Sequence, residues 1–408
     1  MGCRVRHRIL VALAAAGLCF PSIATASGPA PPTALQRKLG HALRVPHVSA
    51  ARSAAVAFDL TTGATVYTQN GALPLAPASN EKLPLTYAAL TTLGPSFRIE
   101  TDVLGEGEVF GTTWRGRLVL QGGGDPTLSG AGLRSLANQV RSAGIRRVTA
   151  GILADESWFD TRRTVAGWKP SFFLSESPPL SALVVDRDRV GGYLSRSPAL
   201  AAAAAFARAL RSAGVTVSGG IGLGVAGDYA YPLGEVTSPP LWTILRFMDR
   251  ESDNFTAELL LKQLGAVEAQ RGTSAAGAAV VTQRLVEAGV PIAGVRIVDG
   301  SGLSRLDRLT ADAVTAILRA AWTNPAVRPT FVAALPVAGL NGTLAHRLRR
   351  PPARGSVLAK TGTTREASAL SGYVRSRYAF AVLQNGNPIS SWWARRAQDR
   401  FATVLAGQ

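Results

Sequence analysis

A serine and a lysine stand three residues apart in the stretch 78–83, which reads ASNEKL. If this stretch opens a helix, Ser79 and Lys82 share one face, because residues i and i+3 are neighbours on a helix surface. A serine hydroxyl becomes a nucleophile when a base takes its proton, and a neutral lysine can be that base. Burial and nearby positive charge lower the pKa of a lysine. The pair could therefore supply nucleophile and base without a histidine.

Ser-x-x-Lys is a weak motif by itself, because Ser79 could cap a helix and Lys82 could be a solvated residue of its first turn. The scarcity of lysine favours the chemical interpretation. Most other cations are arginines, which cannot act as neutral bases. The chain has five lysines: Lys38, Lys82, Lys169, Lys262 and Lys360.

Two further motifs follow along the chain, Ser252-x-Asn254 and Lys360-Thr361-Gly362. The first is weak alone, since a serine and an asparagine at this spacing also make a helix cap and a turn. In the second, the glycine would let a ligand approach a strand edge closely. Ser-x-x-Lys, Ser-x-Asn and Lys-Thr-Gly in this order form the motif set of serine β-lactamases and penicillin-binding proteins.

Composition indicates an exported globular protein. The 408 residues, 47% hydrophobic and 17% charged, suffice for about two domains. Residues 1–26 resemble a secretory signal, with arginines before an apolar run at 9–20 that is too short to stay as a membrane span. A retained anchor is the alternative. Cys3 and Cys19 both fall in this segment, so the mature chain would have neither a disulfide nor a thiol nucleophile.

Charge and histidine content argue against several functional classes. The net charge is +18, but the arginines are dispersed and do not alternate with aromatic residues, which argues against a nucleic-acid partner. Attraction to an anionic cell wall is the simpler expectation. His41, His47 and His346 lack the spacing of a zinc peptidase, and we predict neither metal nor cofactor.

The predicted elements place the motifs on two parts of one domain. Residues 27–97 and 235–408 contain a β-hairpin, several helices and a run of antiparallel strands near the C-terminus. Residues 98–234 have a different sequence pattern, in which short strand-like runs alternate with glycine. They are predicted to form an inserted module. Pro84 is expected to disturb the second turn of the Ser79 helix.

The sequence resembles the D-Ala-D-Ala carboxypeptidase/endopeptidase family of penicillin-binding protein 4, the class C low-molecular-mass penicillin-binding proteins. The resemblance covers nearly the whole mature chain and includes a long insertion between Ser79 and Ser252. Beyond the three motifs it rests on five blocks: GGGDPTL at 122–128, DESWFD at 155–160, DGSGLS at 299–304, NGTL at 341–344 and LSGYV at 370–374.

The resemblance implies an α+β chain with the penicillin-binding transpeptidase or serine β-lactamase-like fold. In that fold an antiparallel sheet is flanked by helices, a helical subdomain lies beside it, and here an α/β module is inserted. Carried onto this sequence, Ser79 attacks the carbonyl between two D-alanines and Lys82 is the base. Ser252 and Lys360 relay a proton to the leaving amine, and Asn254 binds the substrate backbone.

The resemblance also implies how the substrate is held. Backbone N–H groups of Ser79 and Thr363 form the oxyanion hole, and Thr361, Gly362 and Thr363 line the site of the terminal carboxylate. Asp155 aligns with a family position that contacts the side-chain amine of meso-diaminopimelate. A structural aspartate at the end of a strand is the open alternative for Asp155.

The predicted function is that of an exported serine D-Ala-D-Ala carboxypeptidase/endopeptidase of the cell envelope, with peptidoglycan peptides and β-lactams as partners. A serine β-lactamase is one alternative, which the large insertion and the DGSG block argue against. A wall-binding or penicillin-binding protein without hydrolytic activity is another, which the intact motif residues argue against. The sequence leaves open the balance between carboxypeptidase and endopeptidase action and the oligomeric state.

Overall fold

The computed structural model describes Gly2, residues 32–190 and residues 193–408. Nearly all of the predicted signal, residues 1–26, lies outside the described residues. Within the described part of the chain, no helix combines the length and the apolar character that crossing a membrane requires.

The described residues form fourteen strands and ten α-helices. The strands are β1 (Ser53–Asp59), β2 (Ala64–Gln69), β3 (Glu100–Phe110), β4 (Thr113–Gly122), β5 (Arg147–Val148), β6 (Ile152–Asp155), β7 (Arg189–Val190), β8 (Tyr193–Leu194), β9 (Thr216–Val217), β10 (Ile221–Leu223), β11 (Tyr231–Thr237), β12 (Val357–Thr363), β13 (Ala367–Val374) and β14 (Tyr378–Asn385). The helices are α1 (Ala34–Leu43), α2 (Lys82–Thr92), α3 (Gly130–Ser142), α4 (Pro198–Ser212), α5 (Leu241–Glu251), α6 (Asn254–Ala269), α7 (Ser274–Glu287), α8 (Ala311–Thr323), α9 (Arg328–Ala334) and α10 (Ser391–Ala406).

A five-stranded antiparallel sheet joins the two ends of the chain in the order β12-β13-β14-β1-β2. Its middle strands are almost entirely buried, because α1 and α10 cover one face and helices that include α2 and α8 cover the other. An antiparallel sheet covered on both faces needs apolar residues at successive positions, as β13 and β14 have. The edge strand β12 carries Lys360-Thr361-Gly362.

The helix after Ser79 begins later than the sequence suggested. A short 3-10 helix spans Ala78–Glu81, and the α-helix α2 starts at Lys82. Pro84 is therefore the third residue of α2, where the backbone N–H belongs to the first turn and proline is tolerated. The prediction that Pro84 disturbs the second turn is wrong. Every residue from Lys82 to Leu90 is buried, because neighbouring helices surround α2 on all sides.

A second, mixed sheet is built from residues 100–237, with the order β10-β6-β4-β3-β11; β5 pairs with β4, and β9 pairs with β5. Helices α3 and α4 pack on it around a separate apolar core. The predicted end of the insertion at residue 234 falls inside β11, which continues to Thr237.

The segment 156–184 leaves this second sheet and packs on α6. Phe159 and Leu180 form a small apolar cluster with Phe255 and Leu259, which belong to α6. This part of the predicted insertion therefore packs against the helix that carries Asn254. The packing explains how residues of the segment 156–184 reach the site described next.

Candidate active site

Ser79 and Lys82 lie where the sequence placed them, one turn apart. Ser79 is partly exposed, whereas Lys82 is completely buried. Lys82 Nζ lies 3.3 Å from Ser79 Oγ, 2.9 Å from Asn254 Oδ1 and 2.8 Å from the carbonyl oxygen of Ser301. The amine is thus fixed beneath a hydroxyl that solvent can reach, within range for a proton to pass between them.

Two glycines let neighbouring backbone approach this serine. A Cβ on Gly302 would lie 1.9 Å from the carbonyl oxygen of Ala78, and Gly302 has a φ of +82°. A Cβ on Gly362 would lie 2.8 Å from the carbonyl oxygen of Pro77. Ala78 itself has a φ of 47°, a left-handed conformation that costs energy for a residue with a side chain. The backbone before Ser79 is therefore held between the 299–304 loop and β12.

Ser252 and Asn254 lie at the junction of α5 and α6. Ser252 adopts the left-handed conformation with a φ of 58°, which directs its hydroxyl to Lys360. Lys360 Nζ lies 2.8 Å from Ser252 Oγ and 3.0 Å from the carbonyl oxygen of Thr361. Asn254 Nδ2 donates to the carbonyl oxygen of Glu176 at 3.2 Å, so the segment 156–184 helps to orient this amide. The structure brings together both serines, both lysines and the asparagine.

The outer edge of β12 offers backbone donors. The N–H of Ala359 points away from β13 and donates to the carbonyl oxygen of Pro336. Alternate residues of a strand direct their N–H groups to the same side, so those of Thr361 and Thr363 also point outward. Thr363 is exposed and Gly362 packs against the start of the Ser79 helix. The predicted substrate-binding edge therefore faces the nucleophile.

Several contributors were not predicted as site residues. Asn80 Nδ2 donates to the carbonyl oxygen of Lys360 at 3.0 Å and so ties the Ser79 turn to β12. Thr343 Oγ1 lies 2.7 Å from Thr361 Oγ1, and Arg395 donates to Thr363 Oγ1 at 3.4 Å. In the sequence, Ser301 falls within the block DGSGLS and Thr343 within the block NGTL, so these blocks could have indicated both residues. No motif in the sequence indicates Asn80 or Arg395 as a site residue.

Asp155 is placed apart from the other predicted residues. It ends β6 in the second sheet and its side chain is fully buried. One carboxylate oxygen accepts from Gln121 Nε2 at 2.8 Å and from the N–H of Ala226 at 2.9 Å, and the other accepts from the N–H of Ser157 at 2.9 Å. Burial opposes ionisation, but these donors outweigh it and lower the pKa of Asp155. This carboxylate is thus hydrogen-bonded within the second sheet and is not exposed at the surface.

Burial lowers the pKa of both site lysines. For Lys82 the loss of hydration is the largest cause, and nearby carboxylates such as Asp299 oppose it. For Lys360 burial and the positive charge of Lys82 together lower the pKa to about 7, against the opposing effect of Asp249. Burial also raises the pKa of Asp249 to about 6. Two lysines that repel each other in a dry site favour a state in which only one carries the proton.

Buried acids lie beneath Lys82. Glu258 Oε1 accepts the N–H groups of Gly300 and Ser301, which fixes the loop whose carbonyl holds Lys82. Burial and the charge of Asp299 raise the pKa of Glu258 to about 8, and the same causes raise the pKa of Glu81 well above its usual value. Because these acids are held partly neutral, Lys82 can lose its proton without leaving a group of unpaired anions.

A cavity of about 320 Å³ opens beside Ser79. Its lining includes Ala78 and Gly302, and Lys169, Arg305 and Glu366 supply charged groups. Glu366 lies 3.3 Å from Lys169 Nζ, so the two charges are adjacent.

Within the described residues no cluster of three metal-ligating side chains occurs. The arrangement can support nucleophilic attack by Ser79 on a carbonyl, with a carboxylate held at β12 and the rest of the ligand in the cavity.

Comparison with known proteins identifies the family of this chain. The D-Ala-D-Ala carboxypeptidase 3 (S13) family matches residues 35–194 and 192–408. A D-alanyl-D-alanine carboxypeptidase from Actinomadura sp. (strain R39) is 34% identical, covering 95% of this chain and 87% of the relative. Carboxypeptidase DacB from Mycolicibacterium smegmatis is 34% identical, covering 85% of this chain and 78% of the relative.

The fold has a solved counterpart in penicillin-binding protein 4 (dacB) from Haemophilus influenzae. The two structures superpose with a TM-score of 0.80 at 22% identity, covering 91% of this chain and 98% of the other. The expected α+β, penicillin-binding fold and the resemblance drawn from the motifs are both confirmed. The chain belongs to the D-Ala-D-Ala carboxypeptidase 3 (S13) family.

Proposed function

We propose that this chain is an exported serine D-Ala-D-Ala carboxypeptidase/endopeptidase that trims or uncrosslinks peptidoglycan stem peptides through an acyl-enzyme on Ser79. The observation that carries the proposal is the buried amine of Lys82, 3.3 Å from the partly exposed hydroxyl of Ser79. Membership of the S13 family supports the reaction class, and the predicted signal at 1–26 supports an envelope location.

Acylation follows from the positions of the two lysines. Neutral Lys82 takes the proton of Ser79 as its Oγ bonds to the carbonyl carbon between the two D-alanines. The developing oxyanion faces the N–H groups of Ser79 and Thr363, where the loss of one donor typically costs about 3 kcal/mol. When the tetrahedral intermediate collapses, the C–N bond breaks and the leaving amine takes a proton through Ser252 from Lys360.

Substrate binding uses the β12 edge and Asn254. The terminal carboxylate of the peptide meets the amine of Lys360 and the hydroxyls of Thr361 and Thr363, since a charged carboxylate makes strong hydrogen bonds to such donors. Asn254, fixed by Lys82 and Glu176, binds the peptide backbone. After acylation the proton that Lys82 gained passes to Lys360, which gave its own proton to the leaving amine, so Lys82 is neutral again. Water then adds to the acyl-enzyme with Lys82 as base, and return of that proton to Ser79 Oγ as the ester C–O bond breaks releases the shortened peptide and restores the Ser79 hydroxyl.

The inserted region, 98–234, is proposed as a separate domain whose segment 156–184 contributes one wall of the cleft. Support comes from its own apolar core around α3 and α4 and from the contact of Glu176 with Asn254. The first and last parts of the chain, 27–97 and 235–408, would then form the peptidase domain around the five-stranded sheet.

A labelled penicillin tests the proposal. We expect one adduct per chain, mapped by mass spectrometry of peptides to Ser79, and release of D-alanine from a pentapeptide that the same penicillin blocks. An adduct on another serine, or none, would contradict the mechanism. Rapid release of hydrolysed penicillin without peptide cleavage would instead identify the chain as a β-lactamase.

Asp155 is proposed to hold the side-chain amine of diaminopimelate, although its side chain is buried. We expect Asp155→Asn to reduce kcat/KM for diaminopimelate peptides by about 10-fold more than for lysine peptides, because a charged hydrogen bond is lost. Glu366→Gln is the matched comparison, since it removes a carboxylate that lines the cavity beside Ser79. Equal losses with both peptides, or a selective loss in Glu366→Gln alone, would assign Asp155 a structural role.

A further inference from the structure

A groove of about 1410 Å³ runs between α1 and α10 and is separate from the cavity beside Ser79. Cationic side chains dominate its walls. They are Arg37, Lys38, Arg44, Arg347, Arg395, Arg396 and Arg400.

The groove has little negative charge to offset these cations. Asp399 is the carboxylate on its lining, and it pairs with Arg347 at 2.7 Å. Arg37, Arg396 and Arg400 are all exposed. Like charges that lie close together repel, and a bound anion would relieve that repulsion.

The spacing of the cations suits an extended anion. Arg396 and Arg400 are four residues apart on α10, which puts them on one face with Cβ atoms about 5–6 Å apart. Arg37 and Lys38 face them from α1. A single phosphate or carboxylate would meet one or two of these groups, whereas a linear polymer with repeated charges would meet them all.

One rim of the groove is aromatic. Trp392 is 60% exposed, and the guanidinium of Arg396 lies 5.2 Å from its ring centroid. An exposed tryptophan next to arginine offers an apolar face for a sugar or polyol beside a donor for the adjoining acidic group. The groove also includes Arg395, which donates to Thr363 at the β12 edge, so a polymer lying here would come close to the peptidase cleft.

We propose that the α1–α10 groove binds a linear, phosphodiester-linked wall polymer with a sugar or polyol backbone, and that this holds the enzyme against its insoluble substrate. A wall polymer is favoured over nucleic acid because the groove offers one rim tryptophan, Trp392, while single-stranded nucleic acid is gripped by several aromatic platforms for successive bases. Neither the groove nor its ligand takes part in the chemistry at Ser79, so polymer binding is tested independently of the proposed function; its role in holding the enzyme against its substrate rests on that function.

Fluorescently end-labelled poly(glycerol phosphate) is the probe, with binding to the purified chain followed by anisotropy. Counterion release predicts that affinity falls about 10²-fold between 50 and 200 mM salt. The triple variant Arg37→Gln, Arg396→Gln, Arg400→Gln should bind at least about 10-fold more weakly at low salt and should lower the salt slope by about 2, because three phosphate contacts are lost. An unchanged melting temperature would establish that the variant is folded.

A charge-matched triple variant elsewhere is the control: Arg134→Gln, Arg208→Gln and Arg211→Gln. These exposed arginines lie on α3 and α4, and their replacement removes the same net charge as the triple variant in the groove. We expect their loss to change binding by less than about 2-fold, since they make no direct contact. If both triple variants weakened polymer binding equally, the effect would come from net charge alone, and the proposal would be overturned. Tighter binding of single-stranded DNA with the same number of phosphates would overturn it as well.

Discussion

Replacing Lys82 with methionine is expected to slow acylation of Ser79 by about 10³-fold, which is the usual size of a lost general base. Methionine is unbranched like lysine, is shorter by the terminal amine and suits a fully buried position, but it cannot accept a proton. Lys82→Arg should fail as well, because a guanidinium keeps its positive charge at every accessible pH. The measurement is the rate of covalent labelling by a fluorescent penicillin, followed in the gel or by mass spectrometry.

The chain contains a matched control for this experiment. Lys262 is also completely buried on a helix of the same domain, where it pairs with Asp160 and donates to the carbonyl oxygen of Arg162 at 3.0 Å. Lys262→Met should lower the melting temperature, since it leaves Asp160 without its partner, while the labelling rate stays near that of the parent. If Lys82→Met labelled as fast as Lys262→Met, Lys82 could not be the base.

Much of the site could be predicted because its chemistry depends on residue types at fixed spacing. Ser79 and Lys82 had to share a face wherever a helix began, and the glycine of Lys360-Thr361-Gly362 indicated a close approach at a strand edge. The resemblance then supplied the fold, and the superposition on penicillin-binding protein 4 confirmed it. The pattern of apolar runs alone would have left the strand order undetermined.

Other parts of the site depend on contacts between distant residues. Ser301 contributes its backbone carbonyl to Lys82, and any residue type could supply that group. Asn80 lies in the 3-10 turn before α2 and donates to the carbonyl oxygen of Lys360 on β12, which is far away along the chain. The left-handed conformations of Ala78 and Ser252 have no signal in residues that carry a side chain, because tertiary packing imposes them.

The same limit applies to the predicted insertion, residues 98–234. Its glycine-rich texture indicated a separate module, and an apolar core around α3 and α4 does exist. The segment 156–184 leaves that core because Phe159 and Leu180 pack against Phe255 and Leu259. Apolar residues of this kind show that a segment is buried but do not show which neighbour buries it.

Loss of the Lys360 amine is expected to affect substrates according to whether they carry a terminal carboxylate. Lys360→Met should reduce kcat/KM by about 10²-fold for a peptide ending in D-Ala-D-Ala, since a hydrogen bond between two charged groups is lost. For the same peptide with a C-terminal amide, the parent should already be slow and the further loss should be less than about 10-fold. Equal losses with both peptides would mean that Lys360 acts on Ser252 alone.

The pH dependence of the parent follows from the same two amines. Lys82 must be neutral to take the proton of Ser79, so kcat/KM falls as pH drops below its lowered pKa. Lys360 must be charged to hold the carboxylate, and because its pKa is about 7, kcat/KM also falls as pH rises above that value. The pH profile of kcat/KM is therefore bell-shaped. Because the two lysines repel each other, the apparent pKa values of both limbs are properties of the pair and not of either lysine alone. With the amide substrate the alkaline limb should be less steep while the acid limb remains, since the carboxylate contact is lost and charged Lys360 is then needed only as the proton source for the leaving amine. An alkaline limb of the same steepness for both substrates would show that the charge of Lys360 serves the chemical step and not the carboxylate.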